Sequence, residues 1–193
     1  MEENTRPRYP RAAGGLALLA WAVIATNLAS RLYRWGAPLA ACFAAIPGGV
    51  LLAVGLYRAG ADEPGFYRAL MYQAISIAIN QSRGYLGYQF YNAGMLLYGM
   101  CILLSLRALN LACAAAARLL SEAGRENLVF WGGIVRKTNV ICYLAALADL
   151  FLTPMLGMGF FLAAQLICIP LSLLCLVFLF LSSRALRANH ESI

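Results

Sequence analysis

The sequence predicts an all-α fold, a polytopic membrane helix bundle of about six transmembrane helices with the N-terminus and the C-terminus both cytoplasmic. Three observations predict it: the composition, the spacing of the apolar runs and the placement of the arginines. Of 193 residues, 62% are hydrophobic and 12% charged, whereas soluble domains are about 45–50% apolar and about 25% charged. A soluble chain of this length would leave much of that apolar surface in water. A bilayer removes the difficulty, since each spanning helix takes about 20 mainly apolar residues. Six such helices with short turns account for nearly the whole chain, as one membrane domain.

The first run, 12–32, follows Arg6, Arg8 and Arg11, as the apolar part of a signal peptide would. It is longer than an ordinary signal core, no convincing small-x-small cleavage site follows, and Arg31 and Arg34 close it, so it reads as a span. The second, 37–57, begins after a tight outer turn. The third, 66–82, is short and less apolar, and Gly84 is the expected turn before the fourth, 85–106. A fifth run, 138–153, is expected to end at Pro154. The sixth, 155–183, exceeds what a perpendicular helix needs and implies tilt or a bend at Pro170.

With six spans and the N-terminus inside, the inner segments hold Arg6, Arg8, Arg11, Arg58, Arg68, Arg107, Arg118, Arg125, Arg136, Lys137, Arg184 and Arg187. The outer turns hold only Arg31, Arg34 and Arg83. An excess of Lys and Arg marks the cytoplasmic side, so this asymmetry sets the orientation and favours an even number of spans. The structural alternative is four spans with 66–82 as a re-entrant loop.

Residues 107–137 form a cytoplasmic amphipathic connector. On a helix, Arg107, Asn110, Arg118, Ser121, Glu122 and Arg125 fall within about 120° of one another, while Leu109, Cys113, Ala116, Leu119 and Leu120 face away. It is either an extension of the fourth helix or a helix at the interface, anchored by Phe130 and Trp131. In the second run, Ala37, Ala41, Ala45, Gly49 and Ala53 recur every fourth residue as a small-x-x-x-small seam. The seam is intramolecular, or, together with residues 107–131, it receives a protein partner.

Ionisable and amide groups inside a membrane are costly and therefore informative. Asp149 shares a face of the fifth run with Asn139, Cys142 and Thr153, within about 80°. Gln73, Ser76, Asn80 and Arg83 make a second stripe on the third run, and Arg83 and Asp149 are placed at similar depths, where they can pair. Tyr85, Tyr88, Gln89, Tyr91 and Asn92 add hydroxyls and amides at the start of the fourth run, and Gln165 a further amide on the sixth. The expected site is a polar cavity between helices 3, 4 and 5 that binds or moves a small solute, with Asp149, Arg83, Asn80, Gln73, Tyr88, Asn92 and Asn139 as its candidate ligand-binding residues. The competing reading is interhelical hydrogen bonding in a filled bundle. A different class of function, an accessory or scaffold subunit packing through the second helix and the connector, remains open beside it.

Other chemistries lack residues to carry them. The basic residues sit at the ends of apolar runs and not on one face, which argues against nucleic acid. The one histidine, His190, lies in the polar C-terminal tail, so haem and histidine–zinc centres have no ligands, and no metal or other cofactor is expected. Six cysteines without a C-x-x-C pattern read as small packing residues. No zinc-protease, serine-hydrolase or phosphate-loop motif occurs, and no pair of embedded acids, so catalysis is not expected. In span count and length the chain resembles small bacterial six-helix membrane proteins, including the substrate-capture subunits of energy-coupling-factor vitamin transporters. That resemblance implies a multi-pass protein of a bacterial cytoplasmic membrane, with the lipid bilayer as its partner.

Overall fold

A computed structural model describes residues 9–34, 36–89 and 91–191, with the side chains of these residues other than 30, 31, 33, 34, 38, 83–92, 154, 158–165 and 188–191. The described residues form six α-helices: α1 Pro10–Arg34, α2 Pro38–Gly60, α3 Gly65–Gln89, α4 Tyr91–Glu122, α5 Glu126–Leu156 and α6 Met158–Glu191. Each packs against its neighbours in sequence, and α6 returns to pack on α1, so the bundle is a ring in chain order. The α2–α3 contact is the thinnest of the six.

Four helices, α1, α2, α4 and α6, carry stretches long and apolar enough to cross a membrane, namely Pro10–Ala29, Leu39–Gly60, Ala93–Glu122 and Leu166–Arg187. The chain is a multi-pass membrane protein. α3 and α5 are as long but more polar, α3 carrying Gln73 and Asn80 and α5 carrying Arg136, Lys137 and Asp149. The exposed apolar side chains of α2, Leu39, Phe43, Ile46, Val50 and Val54, lie on the face away from the bundle. Such a face suits lipid chains.

Helix ends follow local chemistry, and two differ from expectation. α3 runs through Gly84 to Gln89, because a glycine inside a helix costs only about 1 kcal/mol and does not by itself stop one. α5 runs past Pro154 to Leu156 and stops at Gly157, whose φ of 79° is the left-handed conformation that ends helices. A proline removes one intrahelical hydrogen bond and crowds the carbonyl four residues before it, which weakens the last turn without forcing the helix to end there. Pro170 lies inside a continuous α6. The segment 107–122 continues α4 without a break, and the chain reverses at Gly124 into α5. The apolar side of this stretch is spent on the protein's own core, with Ala108, Ala112, Cys113, Ala116, Leu119 and Leu120 all buried.

The small-residue seam is also displaced. Of its five members, Ala41 is buried, Ala45 and Ala53 are exposed, and the space above Gly49 is open. α2 instead meets α1 through Gly48 and Gly55, in line with Ala41. A four-residue step turns about 40° around the helix, so four steps carry the stripe to nearly the opposite side, whereas a seven-residue step drifts only about 20°. The heptad spacing holds the face that packs.

The core is concentrated at the end where α1, α3 and α5 start and α2, α4 and α6 finish. Leu16, Phe66, Leu119, Leu120, Val135 and Leu179 fill the ring there. Polar links lace the same end. The Asp62 carboxylate in the α2–α3 turn accepts the Ala12 N–H at 2.7 Å and caps α1 from outside. Arg118 pairs with Glu63 at 3.1 Å, and the Ser183 hydroxyl donates to the Ala13 carbonyl at 2.7 Å.

Tyr9 donates its phenol proton to the Glu122 carboxylate. Partial burial, and then that acceptor, raise the phenol from 10.0 to about 12. The neutral phenol is the form that donates, so its contribution to stability is fully present below pH 10 and is lost as pH rises through about 12. An ultraviolet difference titration of the protein against Tyr9→Phe is expected to show one phenol ionising near 12. A difference signal centred at 10 would refute the link.

Candidate functional site

Midway along the ring the interior changes character. The positions that large aliphatic side chains fill at the packed end are here taken by Ala108, Ala112 and Ala146 and by short polar residues, and a cavity of about 320 Å³ remains. All six helices line it. Its depth follows from α5: Asn139 lies about 20 Å from Glu126 at 1.5 Å per residue.

Thr26 and Asn27 from α1, Gln73 from α3, Ser105 from α4, Asn139 and Tyr143 from α5 and Ser172 from α6 supply the polar groups. Leu19, Val23, Leu52, Leu56 and Leu179 supply apolar wall. Among the described residues, no Asp, Glu, Lys or Arg lines the space.

Several of these groups are tied back to their own helices. The Thr26 hydroxyl donates to the Ala22 carbonyl at 2.8 Å, the Asn27 amide to the Val23 carbonyl at 2.8 Å, and the Ser172 hydroxyl to the Cys168 carbonyl at 2.8 Å. The Thr26 and Ser172 hydroxyls, which donate inside their own helices, keep oxygen lone pairs for an incoming donor. Asn139 donates weakly to the Cys113 sulfur at 3.9 Å. Gln73 has no hydrogen-bond partner among the described residues, so its amide can give and accept.

Ser105 is held across the α3–α4 seam. Ser76 donates to the Cys101 carbonyl at 3.1 Å and lies 3.1 Å from the Ser105 hydroxyl, while the Cys101 thiol donates back to the Ser76 carbonyl at 3.3 Å. This clasp fixes one wall of the cavity.

The residues singled out from sequence fall into three groups. Gln73 and Asn139 line the cavity together. Asp149 is buried but lies further along α5, where its carboxylate accepts the Thr153 hydroxyl at 2.5 Å, and Asn80 is exposed on α3; neither lines the cavity. The side chains of Arg83, Tyr88 and Asn92, like that of Gln165, lie outside the described residues. Thr26, Asn27, Ser105 and Ser172 form no pattern in the sequence, since α1, α4 and α6 each bring one or two polar residues to the cavity and no stripe, and Tyr143 lies on α5 beside, not within, the stripe of Asn139, Cys142, Asp149 and Thr153. None of the six cysteines is joined in a disulfide; Cys101, Cys113 and Cys175 are buried, and Cys142 and Cys175 lie in the cavity wall. Among the described residues no three His, Cys, Asp or Glu side chains gather as a metal site would require.

No family model matches the chain, and neither a curated protein nor a solved structure matches it.

Proposed function

We propose that the chain crosses the bilayer six times with both ends cytoplasmic, and that its central cavity binds a small uncharged solute as the binding or transport component of a bacterial cytoplasmic membrane. The observation that carries this reading is the cavity itself: all six helices line it, and hydroxyls and amides are set in its largely apolar wall, with no charged side chain among the described residues. Its volume lies at the lower end of the roughly 300–1,000 Å³ usual for small-molecule sites. A charged ligand at this depth would lack a counter-charge and would bear a heavy desolvation cost. A neutral one that donates and accepts would replace its water with Gln73, Asn139, Ser105 and Ser172.

Six crossings are supported by the outward faces of the two more polar helices. α3 exposes Met71, Ile75 and Ile77, and α5 exposes Ile141, Leu144 and Phe151. Apolar surface on every side of a bundle favours lipid over water around it. The arginine distribution supports the orientation.

Thermal unfolding in mild detergent, run against matched neutral and ionised small solutes, tests the proposal. A neutral polyol, amide or nucleobase is expected to raise the melting temperature, by about 2.7 kcal/mol of added stability at a hundred times its dissociation constant. Gln73→Leu is expected to keep the fold and remove that rise. Stabilisation by ionised solutes alone, or a rise unchanged in Gln73→Leu, would overturn it.

A further inference from the structure

A second recess lies at the packed end, between the α4–α5 turn and the last turns of α6. It is an open groove of about 570 Å³ lined by Gly124, Arg125, Glu126, Asn127, Leu128, Leu181, Arg184 and Ala185. Two of these are arginines, one from the turn and one from α6. Beside them is the start of α5, where Arg125 occupies the N-cap position without a side-chain cap, so the first N–H groups of the helix are served by no side chain of their own cap. A helix start of this kind carries partial positive charge.

The single acid in the groove, Glu126, stands in the first turn of α5. Against two arginines it leaves the groove a net positive charge, and Arg187 follows Arg184 one turn further on an exposed face. Asn127 adds an amide, and the rest of the lining, Gly124, Leu128, Leu181 and Ala185, carries no polar side chain. Leu181 is exposed on the outer face of α6, and Phe130 and Trp131 are exposed on the next turn of α5. Exposed aromatic rings beside arginines mark the headgroup level of a bilayer.

We propose that this groove binds the phosphate of an anionic phospholipid, which Arg125 and Arg184 hold while an acyl chain lies along Leu128 and Leu181. Arginine suits the role because its planar fork matches phosphate oxygens in pairs. Anionic lipids enrich the cytoplasmic leaflet, so the site rests on the cytoplasmic assignment of this end. The central cavity plays no part in it.

Native mass spectrometry of the protein from nanodiscs containing equal phosphatidylglycerol and phosphatidylcholine tests the site independently of orientation, because both leaflets then carry both lipids. The protein is expected to retain phosphatidylglycerol in preference to phosphatidylcholine. Arg125→Gln with Arg184→Gln is expected to weaken that retention about 25-fold, at about fivefold per surface arginine. The pair Arg58→Gln with Arg68→Gln, which removes the same charge from exposed positions at the same end, is expected to leave it unchanged. Equal loss in both double variants would reduce the effect to net charge and overturn the site. Stabilisation by millimolar inorganic phosphate equal to that by phosphatidylglycerol would also overturn it, since the ligand would then be a free anion.

Discussion

Gly15→Ala is expected to destabilise the protein by about 2–3 kcal/mol, while Gly14→Ala, one residue earlier, is expected to be neutral or stabilising. The difference comes from what a methyl group would meet. At Gly15 it would lie 2.5 Å from the Gly55 carbonyl oxygen, 2.8 Å from the Ala59 methyl and 2.9 Å from the Ala59 nitrogen. Those atoms are mostly backbone of α2 and cannot swing aside, so α1 and α2 must part, and overpacking of this kind costs about 1–3 kcal/mol. Within a membrane the loss is especially direct, because helix association there depends on close packing and gains little from the hydrophobic effect. At Gly14 nothing lies within 4 Å, and alanine is the better helix former by up to about 1 kcal/mol. Melting followed by size-exclusion chromatography in mild detergent measures both. Equal effects at the two positions would show that α1 does not approach α2 along this face.

Phe66→Ala is expected to cost about 3 kcal/mol, and Phe43→Ala close to nothing. Phe66 is fully buried at the start of α3, and truncating a buried phenylalanine leaves a hole that the packed end cannot close. Phe43 is 79% exposed on the outer face of α2. In a bilayer its loss exchanges one apolar surface for another. Denaturation in detergent micelles reads both, and a large effect at Phe43 would place that face against protein instead of lipid.

The membrane class and the helical segments could be read from the sequence because both depend on local composition. Where helices end was less accessible. Gly84 and Pro154 look alike as breakers in a sequence, yet the chain passes both and stops at Gly157, which has the positive φ. That choice depends on backbone geometry, which residue type alone does not set. The site shows the same division. Gln73 and Asn139 stood out because each belongs to a polar stripe on one helix. Thr26, Ser105 and Ser172 are single small polar residues in apolar helices, and only the closure of the ring brings them together. Asp149 drew attention by its charge and is instead engaged within α5 by Thr153. In a membrane a hydrogen bond to the next turn and a hydrogen bond to a ligand ask for the same residue types.

The order of helices around the ring has a consequence for the chain as a polymer. The helices pack mainly on their neighbours in sequence; beyond these, α6 packs on α1, beside the Ser183–Ala13 hydrogen bond, and makes a slighter contact with α4. A linker joining Tyr9 to the end of α6 would therefore span elements already in contact, and the break could be moved to another turn at the same end, such as 61–64 or 123–125. A circular permutant opened at Gly124 would keep every helix pair and the cavity. It would lose only the reversal that joins α4 to α5, so the ring's closure resides in its side-chain contacts and not in where the polypeptide happens to be cut.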